Sequence, residues 1–133
     1  MILATGIIFT CTAENIKPFS SDGCSSFPDG TIKEKVLWLE CCILHDKAYW
    51  QGGTKQQRLY ADVELKQCVS SVGKPIIAKL MLTGVRVGGS PYWPTAYRWG
   101  YGWEFPKAYG ILSKKEIQQV QEQWAIYLNQ SKK

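Results

Sequence analysis

A single histidine, His45, is present among 133 residues. That leaves one imidazole for proton transfer near neutral pH, because no other unperturbed side chain titrates there. Paired C-x-x-C ligands are missing, which argues against zinc ribbons and fingers. The apolar run Ile2 to Phe9 falls well short of the roughly 20 residues that cross a bilayer. No arginine-rich run or recognisable nucleic-acid module appears, so nucleic acid is not an expected partner. Repeats, low-complexity tracts and linkers are absent too, and the length fits one domain.

The cysteines carry the opposite message. There are five, more than a cytosolic chain of this size needs, and they point to an oxidising compartment. Residues 1–13 hold no charge and match the hydrophobic part of a signal peptide without its basic leader. Cys11-Thr12-Ala13 supplies small residues for cleavage after Ala13. The expected product is a secreted or periplasmic domain, residues 14–133, with an even count of four cysteines: Cys24, Cys41, Cys42 and Cys68. The alternative is that residues 1–13 form a buried element. The net charge of +5 survives the cleavage and suits an anionic lipid surface as partner, with the chain acting as a monomer.

Asn15 to Gly30 is rich in Ser, Pro, Gly and Asp and reads as loop. Thr31-Ile32-Lys33-Glu34 has the form of a capping box, which predicts a helix from Thr31 to about Gln51, stopped by Gly52-Gly53. Thr54-Lys55-Gln56-Gln57 is a second box, opening a helix to about Val72. Two helices across so tight a turn are expected to pack antiparallel. Lys74-Pro75 opens a third apolar segment to Gly88-Gly89, helical, with a strand over Gly84 to Val87 as the alternative. Ser90 to Gly110 is an aromatic-rich loop that fits no helix period, either covering the core or meeting a lipid interface. Ser113-Lys114-Lys115-Glu116 starts a C-terminal helix with Ile117, Val120, Trp124 and Leu128 as its apolar stripe. The fold class is mainly α.

Cys42, His45, Asp46 and Tyr49 are spaced by three or four and share a face of the first long helix. Arg58, Asp62, Leu65 and Val69 form a matching stripe on the second. In antiparallel packing His45 and Asp62 meet, and the imidazole N–H satisfies a carboxylate that would otherwise be buried unpaired. Tyr49 and Trp50 read as packing residues. Arg58 reads as a solvated helix charge, with a lipid phosphate as the sharper alternative. Upstream, the Gly- and Asp-rich segment Asp22 to Gly30 offers the oxygen ligands that hard cations prefer.

With these residues in view, the chain resembles the secreted phospholipase A2 superfamily, closest to its bacterial and fungal-type short-loop members. Cys41-Cys42-Ile43-Leu44-His45-Asp46 matches the Cys-Cys-x-x-His-Asp helix of that superfamily, and Asp62 with Cys68 matches its second helix. The likeness covers about residues 22–72. Ala48 stands where the longer form of the motif has a further cysteine, and the Gly-rich calcium loop of the animal enzymes is absent. The resemblance implies calcium-dependent hydrolysis of a glycerophospholipid ester at sn-2, with His45 as general base and Asp62 orienting it. It implies Ca2+ held by the Asp46 and Asp22 carboxylates and the Gly23 carbonyl. It also implies the disulfides Cys24–Cys42 and Cys41–Cys68, one of three pairings open to four cysteines. Two rivals remain: a non-catalytic binding or toxin-type module of the same fold, and a structural zinc site on Cys41, Cys42, His45 and Cys68.

Overall fold

The computed structural model describes residues 14–25 and 27–133. The signal-peptide reading of residues 1–13, Cys11 included, lies outside them. Among the described residues there are four helices and no strand. They are α1 (Leu39–Gln51), α2 (Lys55–Ser71), α3 (Pro75–Gly88) and α4 (Lys114–Gln130). None is long and apolar enough to cross a membrane.

Two of the three capping boxes start helices. Thr54 and Ser113 each accept the amide of the third helical residue, and Gln57 and Glu116 reach back to the cap amides. The Thr31 box does not, and α1 begins at Leu39 instead. The Thr31 hydroxyl does accept the Glu34 amide at 3.0 Å. The Thr31 amide, however, donates to the Glu34 carbonyl and closes a turn on itself. Ile32 and Val36 are 97% and 65% exposed, so a helix here would have no apolar face to bury. Trp38 ends the turn, its amide donating to Asp29 and its indole to Pro28.

Pro75 occupies the first turn of α3, where its missing N–H is harmless, and the helix runs through Gly84 to Val87, so the strand alternative fails. On α4 Val120 and Trp124 of the expected stripe pack, joined by Tyr127, while Ile117 and Leu128 stay over 40% exposed. Trp124 and Tyr127 pack edge-on against Phe19, which in turn meets Trp50.

Both disulfides implied by the resemblance are formed, Cys24–Cys42 and Cys41–Cys68. They exclude the zinc reading, which needs those thiolates free. Around them lies a core of Trp38, Leu65, Val69, Ala78 and Met81. Such cross-links belong to an oxidising compartment.

The aromatic loop holds the end of α1. A helix leaves its last carbonyls without partners, and α1 has no basic side chain in its last turn. Gly100 N donates to Tyr49 O, Gly102 N to Trp50 O and the Trp103 indole to Gln51 O. This approach needs glycine: a Cβ on Gly102 would lie 2.6 Å from the Trp50 carbonyl. The aromatics of this loop divide between buried and exposed positions. Trp99 and Trp103 are buried, while Tyr92, Trp93 and Tyr97 remain more than half exposed.

Candidate functional site

Cys42 fixes the azimuth of α1, and His45 follows it by three residues on the same face. His45 Nε2 lies 2.8 Å from Asp62 Oδ1, linking α1 to α2. Asp62 is fully buried. Its Oδ1 also accepts the Tyr49 hydroxyl at 2.6 Å, and its Oδ2 accepts Arg86 Nε at 2.8 Å. The spacing argument foresaw the His45–Asp62 contact. It missed Tyr49 and Arg86 as partners of the same carboxylate.

Tyr49 is therefore more than a packing residue. Burial and the Asp62 charge both push its hydroxyl pKa upward, so it stays a neutral donor. Arg58 is not a solvated charge either, because only 6% of it is exposed. Its Nε donates to Tyr49 Oη at 3.0 Å, and its terminal nitrogens donate to Tyr109 Oη and to the Val85 and Arg86 carbonyls. Burial works against this charge, but the two tyrosine hydroxyls outweigh it and raise the pKa. The stripe 58-62-65-69 gave Arg58 an inward direction. That a carbonyl pair would await it on α3 was not readable from spacing.

Asp46, next along α1, belongs to a second group. Its Oδ2 accepts the Ser21 hydroxyl at 2.6 Å, and Ser21 Oγ accepts the Gly23 amide at 3.1 Å. Ser21 therefore clamps the loop to the helix, a role no sequence feature announced. Burial pushes the Asp46 carboxyl up to about 6, and the nearby Asp22 charge adds to this, while Ser21 and His45 oppose it. Asp22 itself accepts the Ser25 hydroxyl. Gly23 has φ +75°, and a Cβ there would meet Asp29 Oδ1 at 2.5 Å, so the loop path depends on glycine.

One cavity of about 200 Å³ joins the two groups: His45, Asp46, Tyr49 and Gly23 line it together with Leu65, Met81 and Val85. Gly84 and Gly88, one turn apart on α3, also border it and leave room where side chains would intrude. A wider groove of about 580 Å³ touches the other side of His45 between α1 and α2. It includes neither Asp46 nor Gly23, so the smaller cavity is where the polar groups converge.

The donor set bears on a cation. Among the described residues no three His, Cys, Asp or Glu side chains cluster as a metal site. What is present is a pair of carboxylates, Asp46 and Asp22, that repel each other, with neither paired to Lys or Arg among the described residues. Two carboxylates without a cationic side-chain partner are hard oxygen donors, a chemistry that suits a hard cation better than a softer metal.

The Asp46 environment carries a stability consequence. From pH 3.8 to about 6 the folded chain keeps a proton that the unfolded chain has released, so this group lowers stability as pH rises through that window. Asp46→Asn is expected to stabilise the protein in chelator at pH 7 by about 1–3 kcal/mol, the energy of a shift of this size. The gain should vanish below pH 4. Urea unfolding at the two pH values checks it, and equal stability of the two proteins at pH 7 would refute the burial argument.

No family model, curated protein or solved structure matches this chain.

Proposed function

We propose that the chain is a calcium-dependent, phospholipase A2-like carboxylic ester hydrolase that cleaves a glycerophospholipid at sn-2. The observation that carries this reading is that His45, backed by buried Asp62, lines one apolar-walled cavity together with Asp46. The order of contacts, Cys41 with Cys68 and His45 with Asp62 across the Gly52-Gly53 turn, supports an antiparallel helix pair. The resemblance of Cys41-Cys42-Ile43-Leu44-His45-Asp46 to the superfamily helix supports the same conclusion.

In this mechanism Asp62 accepts a hydrogen bond from His45 Nε2, which leaves Nδ1 with the free lone pair of the neutral ring. Nδ1 takes a proton from water as the oxygen attacks the ester carbonyl, then returns it to the departing alcohol. No serine or cysteine nucleophile is required, and all four described cysteines are oxidised. Calcium, held by the Asp46 and Asp22 carboxylates and the Gly23 carbonyl, would polarise the ester carbonyl and offset negative charge on its oxygen. Leu65, Met81 and Val85 give an acyl chain an apolar wall. Fatty-acid release from phospholipid vesicles with calcium, against a chelator control, tests the reading. Absence of release in calcium would refute it and favour the non-catalytic module.

The partner surface follows from charge. Residues 65–103 contain no acidic residue at all, and of their cations Lys66, Lys74 and Lys79 are free of the internal pairing that occupies Arg86 and of the burial that holds Arg98. The same stretch exposes Ile76, Leu80, Val87, Tyr92 and Trp93. Cations beside exposed aliphatic and aromatic side chains suit an anionic membrane surface, met by a secreted or periplasmic monomer. Turnover should be faster on anionic than on zwitterionic vesicles, by about tenfold at low salt, with the advantage shrinking as salt screens charges beyond about 8 Å. Equal rates on both surfaces at low salt would remove charge from the account.

A further inference from the structure

Arg58 and Arg86 are not themselves among the residues that line the cavity and make no hydrogen bond to Asp46, yet both are spent on the Asp62 cluster. An arginine can only donate hydrogen bonds. Because Arg58 Nε donates to Tyr49 Oη, the hydroxyl's own hydrogen is directed at Asp62 Oδ1, 2.6 Å away. Arg86 Nε occupies Oδ2, and its terminal nitrogen is anchored on the Leu59 carbonyl at 3.1 Å. The carboxylate is thereby fixed in plane, its charge is matched, and the role left for it toward His45 is that of acceptor.

We propose that Arg58 and Arg86 are positioning residues that set the tautomer of His45, one through the Tyr49 hydroxyl and the other through Asp62 Oδ2. The functional meaning rests on His45 as general base, but the tautomer itself does not. Both arginines also tie the C-terminal turn of α3 to α2: Arg58 through the Val85 and Arg86 carbonyls, Arg86 through Leu59. The hydrogen on Nε2 is thus controlled by three helices, although only α1 carries the imidazole.

The single histidine makes the test clean. Nitrogen-15 spectra of His45 at alkaline pH, where an imidazole is neutral, report which nitrogen bears the hydrogen. The native protein should show the Nε2–H form almost alone. Arg86→Met keeps the aliphatic stem and removes the donors; it should yield a mixture with a several-fold larger Nδ1–H share. Its kcat should fall about tenfold at unchanged KM, less than the 10²–10⁴ at stake when a general base is removed. Arg86→Lys, which keeps the charge and a donor, should restore most of the Nε2–H form. Arg58→Met should act similarly, but Arg58 is buried and this variant can fail to fold, so Arg86 decides the matter. A folded Arg86→Met protein with the native tautomer overturns the proposal, whether or not it hydrolyses lipid. A tautomer shift in Arg86→Met together with no fatty-acid release by the native protein would refute the hydrolase reading and leave the positioning role standing.

Discussion

His45→Gln is expected to abolish vesicle hydrolysis while calcium binding survives. Glutamine retains a side-chain N–H that can reach Asp62, so the buried carboxylate keeps a donor and the fold is spared. What disappears is the proton acceptor, and general base catalysis is worth about 10²–10⁴ in rate. Asp62→Asn should be milder, because it disturbs the orientation of the base without deleting it. Asp46→Asn should lower calcium affinity and rate together, since a neutral amide is the poorer ligand for a hard cation. Calorimetric calcium titration beside fatty-acid release separates the three. Full activity in His45→Gln would end the mechanism proposed for this site.

Removing the disulfides should have the second largest effect, and the two should fail differently. Cys24–Cys42 closes 18 residues of chain and Cys41–Cys68 closes 27. Chain-entropy arguments value loops of this length at about 3 kcal/mol each. That is a large share of the stability expected for a domain of this size, and each loss should lower Tm by about 10 °C. Changing Cys41 and Cys68 together to serine should reduce Tm but spare calcium affinity in the protein that remains folded. The same change at Cys24 and Cys42 should reduce both, because Cys24 follows Gly23 directly and holds its loop against α1. Thermal unfolding and calcium titration of the two double variants check this. Equal calcium affinity in both would detach the loop from the metal role assigned to it.

Local signals that carry their own geometry were legible in the sequence. The Thr54 and Ser113 boxes specify both hydrogen bonds of a helix start within four residues, and both helices begin there. The His45–Asp62 contact was legible because two helical stripes and one tight turn leave little freedom in register. Thr31 shows where such reasoning stops. Its hydroxyl makes the bond the motif promises, but a helix also needs something to bury, and Ile32 and Val36 have nothing. The second layer of the site was legible only as the inward direction of Tyr49 and Arg58, not as contacts. Arg86 is 24 residues from Asp62, Tyr109 is 51 from Arg58, and Ser21 is 25 from Asp46. Each contact depends on how α3, the aromatic loop and the N-terminal loop dock, and no periodicity encodes that.

Cys41 and Cys42 are neighbours on one helix, so their side chains leave its axis about 100° apart. A rod tethered at one point can still roll about its length. Tethered at two bearings, to the loop at Cys24 and to α2 at Cys68, it can neither roll nor slide. The compass heading of His45 is therefore set by covalent bonds one turn before it, independently of whatever fills the cavity. The opposite wall belongs to α3, which no disulfide holds, and there Met81, Gly84 and Val85 shape the space. Substitutions on that wall can recut the lock for a differently shaped occupant while the bearing of the imidazole stays where α1 has fixed it.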